Sequence, residues 1–272
     1  METVEANGAR IPLIGLGTWD LRGRTCVEMV SEALKLGYRQ IDTAAAYDNE
    51  SEVGEGLRAS GIKRADVHIT TKVWHDSLRA ADLERSVEES LKRLGLDQVD
   101  LLLIHWPNAS VPLKETIGAL NKVKRRGLTR HIGVSNFTVE LIEEAVKLSA
   151  EPLVTDQIEL HVYLGQSKVI AACRRHGLAI TAYSPIARGR GEGDKILTKI
   201  GAAHGKTWAQ VCLRWLVQQK IIAIPRTSKR ERLKENLKVF DFALSPQEMA
   251  AISALGNKGG RIVNMAWAPR WD

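Results

Sequence analysis

The 272-residue chain has only three cysteines, Cys26, Cys173 and Cys212. They are odd in number, lie far apart, and none has the spacing of a metal ligand set or a redox pair. That excludes a disulfide scaffold and a zinc module, and it points to a reducing compartment, the cytoplasm. No run approaches the ~18 consecutive apolar residues that a membrane helix needs, so no membrane partner is expected. The opening METVEANGARIP has no apolar core of the kind a secretory signal carries. Aromatic residues make up 5 % of the chain, and tryptophan supplies seven of them while phenylalanine supplies three. With 44 % apolar and 26 % charged residues, the composition is that of an ordinary folded protein, not of a disordered tail or a collagen-like fibre.

Charge is biased in one direction. Lysine and arginine number 39 against 32 acids, a formal net charge of +7. Two clusters stand out, Lys122 to Arg130 and Arg226 to Arg232. Neither comes with a zinc-finger spacing, an RNA-binding aromatic motif or a basic arm, so nucleic acid is not the expected partner.

The apolar pattern is periodic. Asn7-Gly8 lies between two short β-compatible runs, the strongest local signal for a two-residue hairpin. Eight short apolar runs follow: Leu13–Leu16, Gln40–Thr43, Val67–Thr71, Val99–Ile104, Arg130–Val134, Val154–Ile158, Leu178–Tyr183 and Ile221–Ile224. Between them lie amphipathic segments. In one, Leu83, Val87, Leu91 and Leu94 share a face; in another, Leu141, Ile142, Ala145, Val146 and Ser149 do. Strands alternating with helices predict a parallel sheet, and eight uninterrupted units predict a (β/α)8 barrel, whose usual length is about 250 residues. An open doubly wound sheet would carry a Gly-rich phosphate turn after its first strand. Gly15-Leu16-Gly17-Thr18-Trp19-Asp20 lacks the third glycine. One domain over residues 1–272 is expected, with two helices after the last strand. Ser228-x-x-Glu231 and Ser245-x-x-Glu248 both read as capping boxes, the second with Pro246 at the first helical position. Residues 256–272 read as an irregular tail.

In such a barrel the chemistry sits at the C-terminal strand ends. Those ends carry Asp42, Lys72, His105-Trp106, Ser135-Asn136, Asp156-Gln157, Tyr183-Ser184 and Arg226-Thr227-Ser228, with Tyr47 on the loop after Asp42. Singly, each has an ordinary structural explanation: a packed phenol, a solvated ammonium, a histidine in a turn. Together, Asp42, Tyr47, Lys72 and His105 suit protonation of an oxyanion forming on a carbonyl carbon. A lysine ammonium beside a phenol favours the phenolate and makes the phenol a better proton donor. An aspartate would keep that lysine charged, and a histidine would orient the carbonyl. Further on, Arg226, Lys229, Arg230 and Arg232 cluster around the helix start expected at Ser228. Cations there oppose the helix dipole, and a phosphate would reconcile them.

The motifs GLGTW (15–19), DTAAAYDNE (42–50), TKVW (71–74), LLLIHWP (101–107), GVSNF (133–137), QIELH (157–161), AYSP (182–185) and IPRTSKRERLKENLKVFDF (224–242) resemble, in order and over almost the whole chain, the aldo-keto reductases. The short segments after His105 and Tyr183 resemble compact prokaryotic members, of the 2,5-diketogluconate reductase and aldehyde-reducing kind. The resemblance implies a (β/α)8 barrel with an N-terminal hairpin under its floor, NADPH as cofactor without a Rossmann domain, and reduction of small aldehydes, dicarbonyls or keto-sugars by a cytoplasmic monomer. It implies a catalytic tetrad of Asp42, Tyr47, Lys72 and His105, with Tyr47 as general acid. Ser135, Asn136 and Gln157 match the positions around the nicotinamide carboxamide, and Tyr183 the ring that stacks on it. Ser184, Pro185 and Ile186 match those along the pyrophosphate. Arg226, Thr227, Ser228 and Arg232 match those around the 2′-phosphate, and Glu235 and Asn236 those around adenine. Trp19, Trp74 and Trp106 match substrate-pocket walls. The chain departs from the family pattern at Asp156, where asparagine is usual, at Arg226 for a common lysine, and at Lys229 for a small hydroxyl residue. Because some barrels of this family serve as nicotinamide-sensing subunits of a partner, a binding role with little turnover is the alternative.

Overall fold

The structure, a computed structural model, describes residues 1–258 and 260–272. The chain opens with a hairpin of β1 (Thr3–Ala6) and β2 (Ala9–Pro12). Asn7 and Gly8 both take positive φ, 45° and 86°, as a tight primed turn requires. Asn7 Nδ2 donates to the carbonyls of Leu153 and His176, which seats the hairpin across the N-terminal end of the sheet.

Eight parallel strands then alternate with helices. In chain order they are β3 (Leu16–Gly17), α1 (Gly23–Leu36), β4 (Gln40–Asp42), α2 (Glu50–Ser60), β5 (His68–Val73), α3 (Ala80–Leu94), β6 (Val99–Ile104), α4 (Leu113–Arg125), β7 (Thr129–Ser135), α5 (Val139–Leu148), β8 (Leu153–Glu159), α6 (Ser167–Arg175) and β9 (Ala179–Tyr183). After these come α7 (Lys195–His204), α8 (Trp208–Gln218), β10 (Ile222–Ala223), α9 (Arg230–Leu237) and α10 (Pro246–Ser253). Every strand from β3 to β10 pairs with its sequence neighbour, and a parallel bridge from Ile14 to Ala223 joins the two ends of the sheet into a barrel. Gly15 N–H donates to the Ala223 carbonyl, and Ala223 N–H to that of Leu13, both at 2.9 Å. Closure requires glycine at position 17, because a Cβ there would stand 2.7 Å from the Ile224 carbonyl oxygen.

The expected stripe of α3 is buried in full, and in α5 the buried centre is Ile142 and Ala145. Two sequence expectations change. The first run forms strand only at Leu16–Gly17, since Leu13 to Gly15 bridge to β10 through single bonds and build no ladder. Ser228 does not cap α9: Lys229 stands at the N-cap with no side-chain cap. Thr227 Oγ1 already takes the Lys229 N–H at 3.0 Å, and that tight turn starts the helix later than the Ser-x-x-Glu spacing implies. The second box is present: Ser245 caps α10 and Glu248 returns to the Ser245 N–H. The Lys122–Arg130 cluster is matched by acids, with Lys122 and Arg126 on Glu84, Arg126 on Glu88, Lys124 on Glu151 and Arg130 on Asp100. The expected irregular tail begins later than residue 256, because a 3-10 turn over Ala254–Lys258 continues from α10; residues 260–272 form no helix or strand, and Gly259 lies outside the described residues.

Candidate active site

Side chains alternate along a strand, so residues two apart share a face. In β8 this puts Gln157 inside the barrel, where its Nε2 crosses to donate to Asp42 Oδ2 of β4 at 2.8 Å. Asp42 Oδ1 accepts from Lys72 Nζ of β5 at 2.6 Å. The other two ammonium hydrogens go to the Thr43 carbonyl at 2.7 Å and to Tyr47 Oη at 3.3 Å. Lys72 and Asp42 are fully buried, and Tyr47 opens onto a cavity of about 500 Å³ at the C-terminal end of the barrel. His105, at the end of β6, packs edge-on to Tyr47 with ring centroids 5.5 Å apart. The four residues singled out in the sequence thus converge, and Gln157 joins Asp42, Lys72 and Tyr47 in one hydrogen-bonded chain with the His105 ring packed beside it.

Burial pushes the Tyr47 phenol above its ordinary pKa; the Lys72 ammonium pulls it down but does not prevail. The resting phenol is therefore protonated at neutral pH. Burial also opposes the charge on Lys72, but Asp42 and Tyr47 outweigh it and hold the ammonium above the usual lysine value. Burial, with Lys72 and His75 nearby, holds the His105 imidazole well below its ordinary value, so the ring is neutral. A neutral imidazole keeps one N–H to offer an oxygen in the cavity.

The cavity is lined by Trp19, Tyr47, Trp74, His105, Trp106, Val263 and Met265, by Asn136, Gln157 and Tyr183, and by Ser184, Pro185, Ile186, Arg226 and Arg232. Asn136, at φ 63°, donates to the His105 carbonyl and accepts from Tyr183 Oη at 2.8 Å, so it braces two neighbours. Ser135 lies behind the wall, its Oγ donating to the Gln157 carbonyl. Arg226 is tethered by the carbonyls of Trp19 and Asp20 and by the Asp20 carboxylate. Thr227, Ser228, Glu235 and Asn236 do not line the cavity; Thr227 holds the turn before α9, and Asn236 is buried on the Tyr38 side of α9. Asp156 faces away from the cavity, beneath the Phe137 amide, and burial raises its carboxyl well above the ordinary value. A neutral acid there has nearly the shape of the asparagine usual in the family.

Several lining residues carry no periodic signal in the sequence. Arg188 holds its guanidinium 4.5 Å from the Trp19 ring centroid, across the cavity mouth. It stands in a segment where Ser184, Ala187 and Arg188 all take φ near 50°, the region disfavoured for side-chain-bearing residues. Val263 and Met265 come from the tail, and Trp267 stacks on His75 at 3.9 Å while meeting the edges of Trp74 and Trp106. Among the described residues no group of His, Cys, Asp and Glu side chains could hold a metal ion, and no helix is long and apolar enough to cross a membrane.

Comparisons with known proteins agree with this geometry. The aldo/keto reductase family model matches residues 13–257. The chain is 43 % identical over 265 residues to methylglyoxal reductase DkgB of Escherichia coli O157:H7, covering 96 % of this chain and 99 % of that one. It is 41 % identical to glyoxal reductase of Bacillus subtilis, covering 94 % and 92 %. A crystal structure of a putative 2,5-diketo-D-gluconic acid reductase B superposes with a TM-score of 0.98 at 51 % identity, over 100 % of this chain and 98 % of that one. A Bombyx mori aldo-keto reductase solved in complex with NADP gives 0.91 at 33 % identity, over 97 % and 95 %. The chain is a (β/α)8 oxidoreductase and belongs to the aldo/keto reductase family.

Proposed function

We propose that the protein reduces small aldehydes and dicarbonyls to alcohols with NADPH, using Tyr47 as the general acid. The observation that carries this reading is the chain Gln157–Asp42–Lys72–Tyr47, which ends with a protonated phenol on the cavity beside a neutral imidazole.

The cavity residues fit the cofactor. Arg226 and Arg232 line the cavity, suited to a phosphate that NADPH carries and NADH lacks. Gln157 spends its amide N–H on Asp42, which leaves Oε1 as an acceptor for a primary amide. Tyr183 lines the same cavity with its ring. When bound, NADPH supplies the hydride for the carbonyl carbon.

The chain's own part is to hold the carbonyl and deliver a proton. His105 donates to the substrate oxygen and aims it at Tyr47. As negative charge builds on that oxygen, Tyr47 Oη passes its proton across. Lys72 then faces a developing phenolate at 3.3 Å, an attraction far stronger than its contact with the resting phenol. The raised phenol pKa keeps the acid loaded, and the buried ammonium favours its release in the transition state. Trp19, Trp74, Trp106, Val263 and Met265 share the cavity with Tyr47 and carry no charge, which suits small carbonyls such as methylglyoxal and glyoxal, while Asp20, Arg188, Glu192, Arg226 and Arg232 add charged groups to its lining.

The test is NADPH oxidation by the purified protein with methylglyoxal, glyoxal, aromatic aldehydes and keto-sugars. Carbonyl-dependent oxidation with alcohol formed in equal amount is expected. Tight NADPH binding without turnover on any of them would overturn the reading and leave a cofactor-binding protein.

A further inference from the structure

Glu159, the last residue of β8, is completely buried and does not line the cavity. It lies two residues beyond Gln157 and therefore on the same inward face of the strand. A buried carboxylate must be matched by donors, and here three of them close on it. His161 Nε2 donates to Oε1 at 3.0 Å, the Ile262 N–H to Oε1 at 2.7 Å, and the Val263 N–H to Oε2 at 2.8 Å. His161 is also fully buried. Its Nδ1 accepts from the Tyr163 N–H at 3.3 Å, which places the ring proton on Nε2, facing Glu159. Two consecutive amides of a segment without secondary structure are thus held by one carboxylate on a rigid strand, across more than a hundred residues of sequence.

Beyond these amides the tail makes part of the cavity wall. Val263 and Met265 line the cavity, and Trp267, 41 % exposed, rests on His75, Trp74 and Trp106. The tail has no ladder to fix its height over the cavity. Among the described residues its polar ties outside Glu159 are two at Gly260, whose N–H donates to the Tyr163 carbonyl and whose carbonyl accepts from Arg190 Nη1 at 3.5 Å, and one from the Val139 N–H to the Asp272 carboxylate at its end.

We propose that Glu159 is a positioning residue for substrate selection: by clamping the Ile262 and Val263 amides it sets where Val263 and Met265 stand in the wall of the cavity that Tyr47 opens onto, and so sets KM for carbonyls large enough to touch them. This rests on the proposed carbonyl reduction. The carboxylate touches neither the substrate volume nor the tetrad, so the chemical step is left alone. Glutamine in its place would turn an N–H₂ group toward a donor, either His161 Nε2–H or a tail amide, and release that side of the clamp.

The test uses the full-length protein and Glu159→Gln, each with NADPH and with glyoxal or a bulky aromatic aldehyde. For Glu159→Gln, KM for the aromatic aldehyde is expected to rise about tenfold, the loss of one charge-assisted hydrogen bond. For the same variant, kcat, the KM for glyoxal and the NADPH Kd stay near wild type. Ile262→Pro removes one clamp bond from the tail side, outside the core, and is expected to give the same pattern if Glu159→Gln does not fold. In a Val263→Ala/Met265→Ala background, Glu159→Gln is expected to add little to the KM, because the wall it positions is gone. Chymotrypsin cleavage between Trp267 and Ala268, which needs no activity, is expected to quicken in both clamp variants. An inactive wild type whose clamp variants are cleaved faster would count against the proposed reaction and not against the clamp. Equal loss of kcat for both aldehydes, or unchanged KM and unchanged cleavage, would overturn the proposal.

Discussion

The barrel rim and the C-terminal tail meet at one cavity but are held in place by different means. At the rim, Asp42, Lys72, Gln157 and Glu159 stand on strands whose register is set by continuous ladders, and each is fully buried. In the tail, residues 260–272 have no ladder and rely on one carboxylate, a terminal contact and stacked aromatic rings. The contrast separates two tasks. Proton delivery needs atoms fixed to within a few tenths of an ångström, and the sheet supplies that. Substrate selection needs a wall that sequence change can reshape without disturbing the sheet, and an irregular segment supplies that.

Variants on the two sides should therefore differ in kind. The largest effect is expected for Lys72→Met, which leaves Asp42 buried without its partner. Such a loss costs about 3–5 kcal/mol, to be read from urea unfolding, and carbonyl reduction should fall with it. Unaltered unfolding would show that the rim is not the rigid half. Next is Arg226→Ala, expected to lower the preference for NADPH over NADH by about tenfold, the worth of a charge-assisted hydrogen bond, as measured by the two kcat/KM values. On the tail side, Trp267→Ala should raise KM for aromatic aldehydes by about two- to tenfold, the range of a lost aromatic contact, while kcat and the urea midpoint barely move. A fall in kcat instead would erase the distinction.

The smallest effects concern titration. Asp156 is raised in the folded state, so between its unfolded and folded pKa values the native protein holds the extra proton and stability declines as pH rises. Asp156→Asn removes that decline. It should raise Tm at neutral pH by a few degrees, about 2–4 °C per kcal/mol for a chain of this size. The gain should shrink toward pH 4 and vanish below about pH 3, where the aspartate is protonated in both states. Since His105 is held neutral and Tyr47 is raised, kcat/KM for reduction should show no inflection near pH 6.5, the ordinary histidine value. An inflection there would mean that His105 titrates during the reaction.

The same contrast explains what could be read from the sequence. Strands and helices announce themselves through periodicity, so the eight strand runs, the hairpin at Asn7-Gly8 and the cap at Ser245 are legible, and with them Asp42, Lys72 and His105 as strand ends. Local spacing fails where a competing local bond decides, as at Ser228, where Thr227 holds the Lys229 amide and the helix starts one residue later. That the tail is irregular is legible; where it lies is not. Its place depends on Glu159, a hundred residues away, and no period in residues 260–272 points there. The burial that overrides Lys72 at the Tyr47 phenol is likewise a property of the assembled cavity and not of any motif.

The central claim is that Tyr47 gives up its proton as the carbonyl is reduced. Single-turnover reduction of methylglyoxal by Tyr47→Phe, saturated with NADPH and with the NADPH Kd measured alongside, tests it most directly. The rate is predicted to fall by about a hundred- to ten-thousand-fold with Kd unchanged. A single-turnover rate equal to that of the unaltered protein would contradict it.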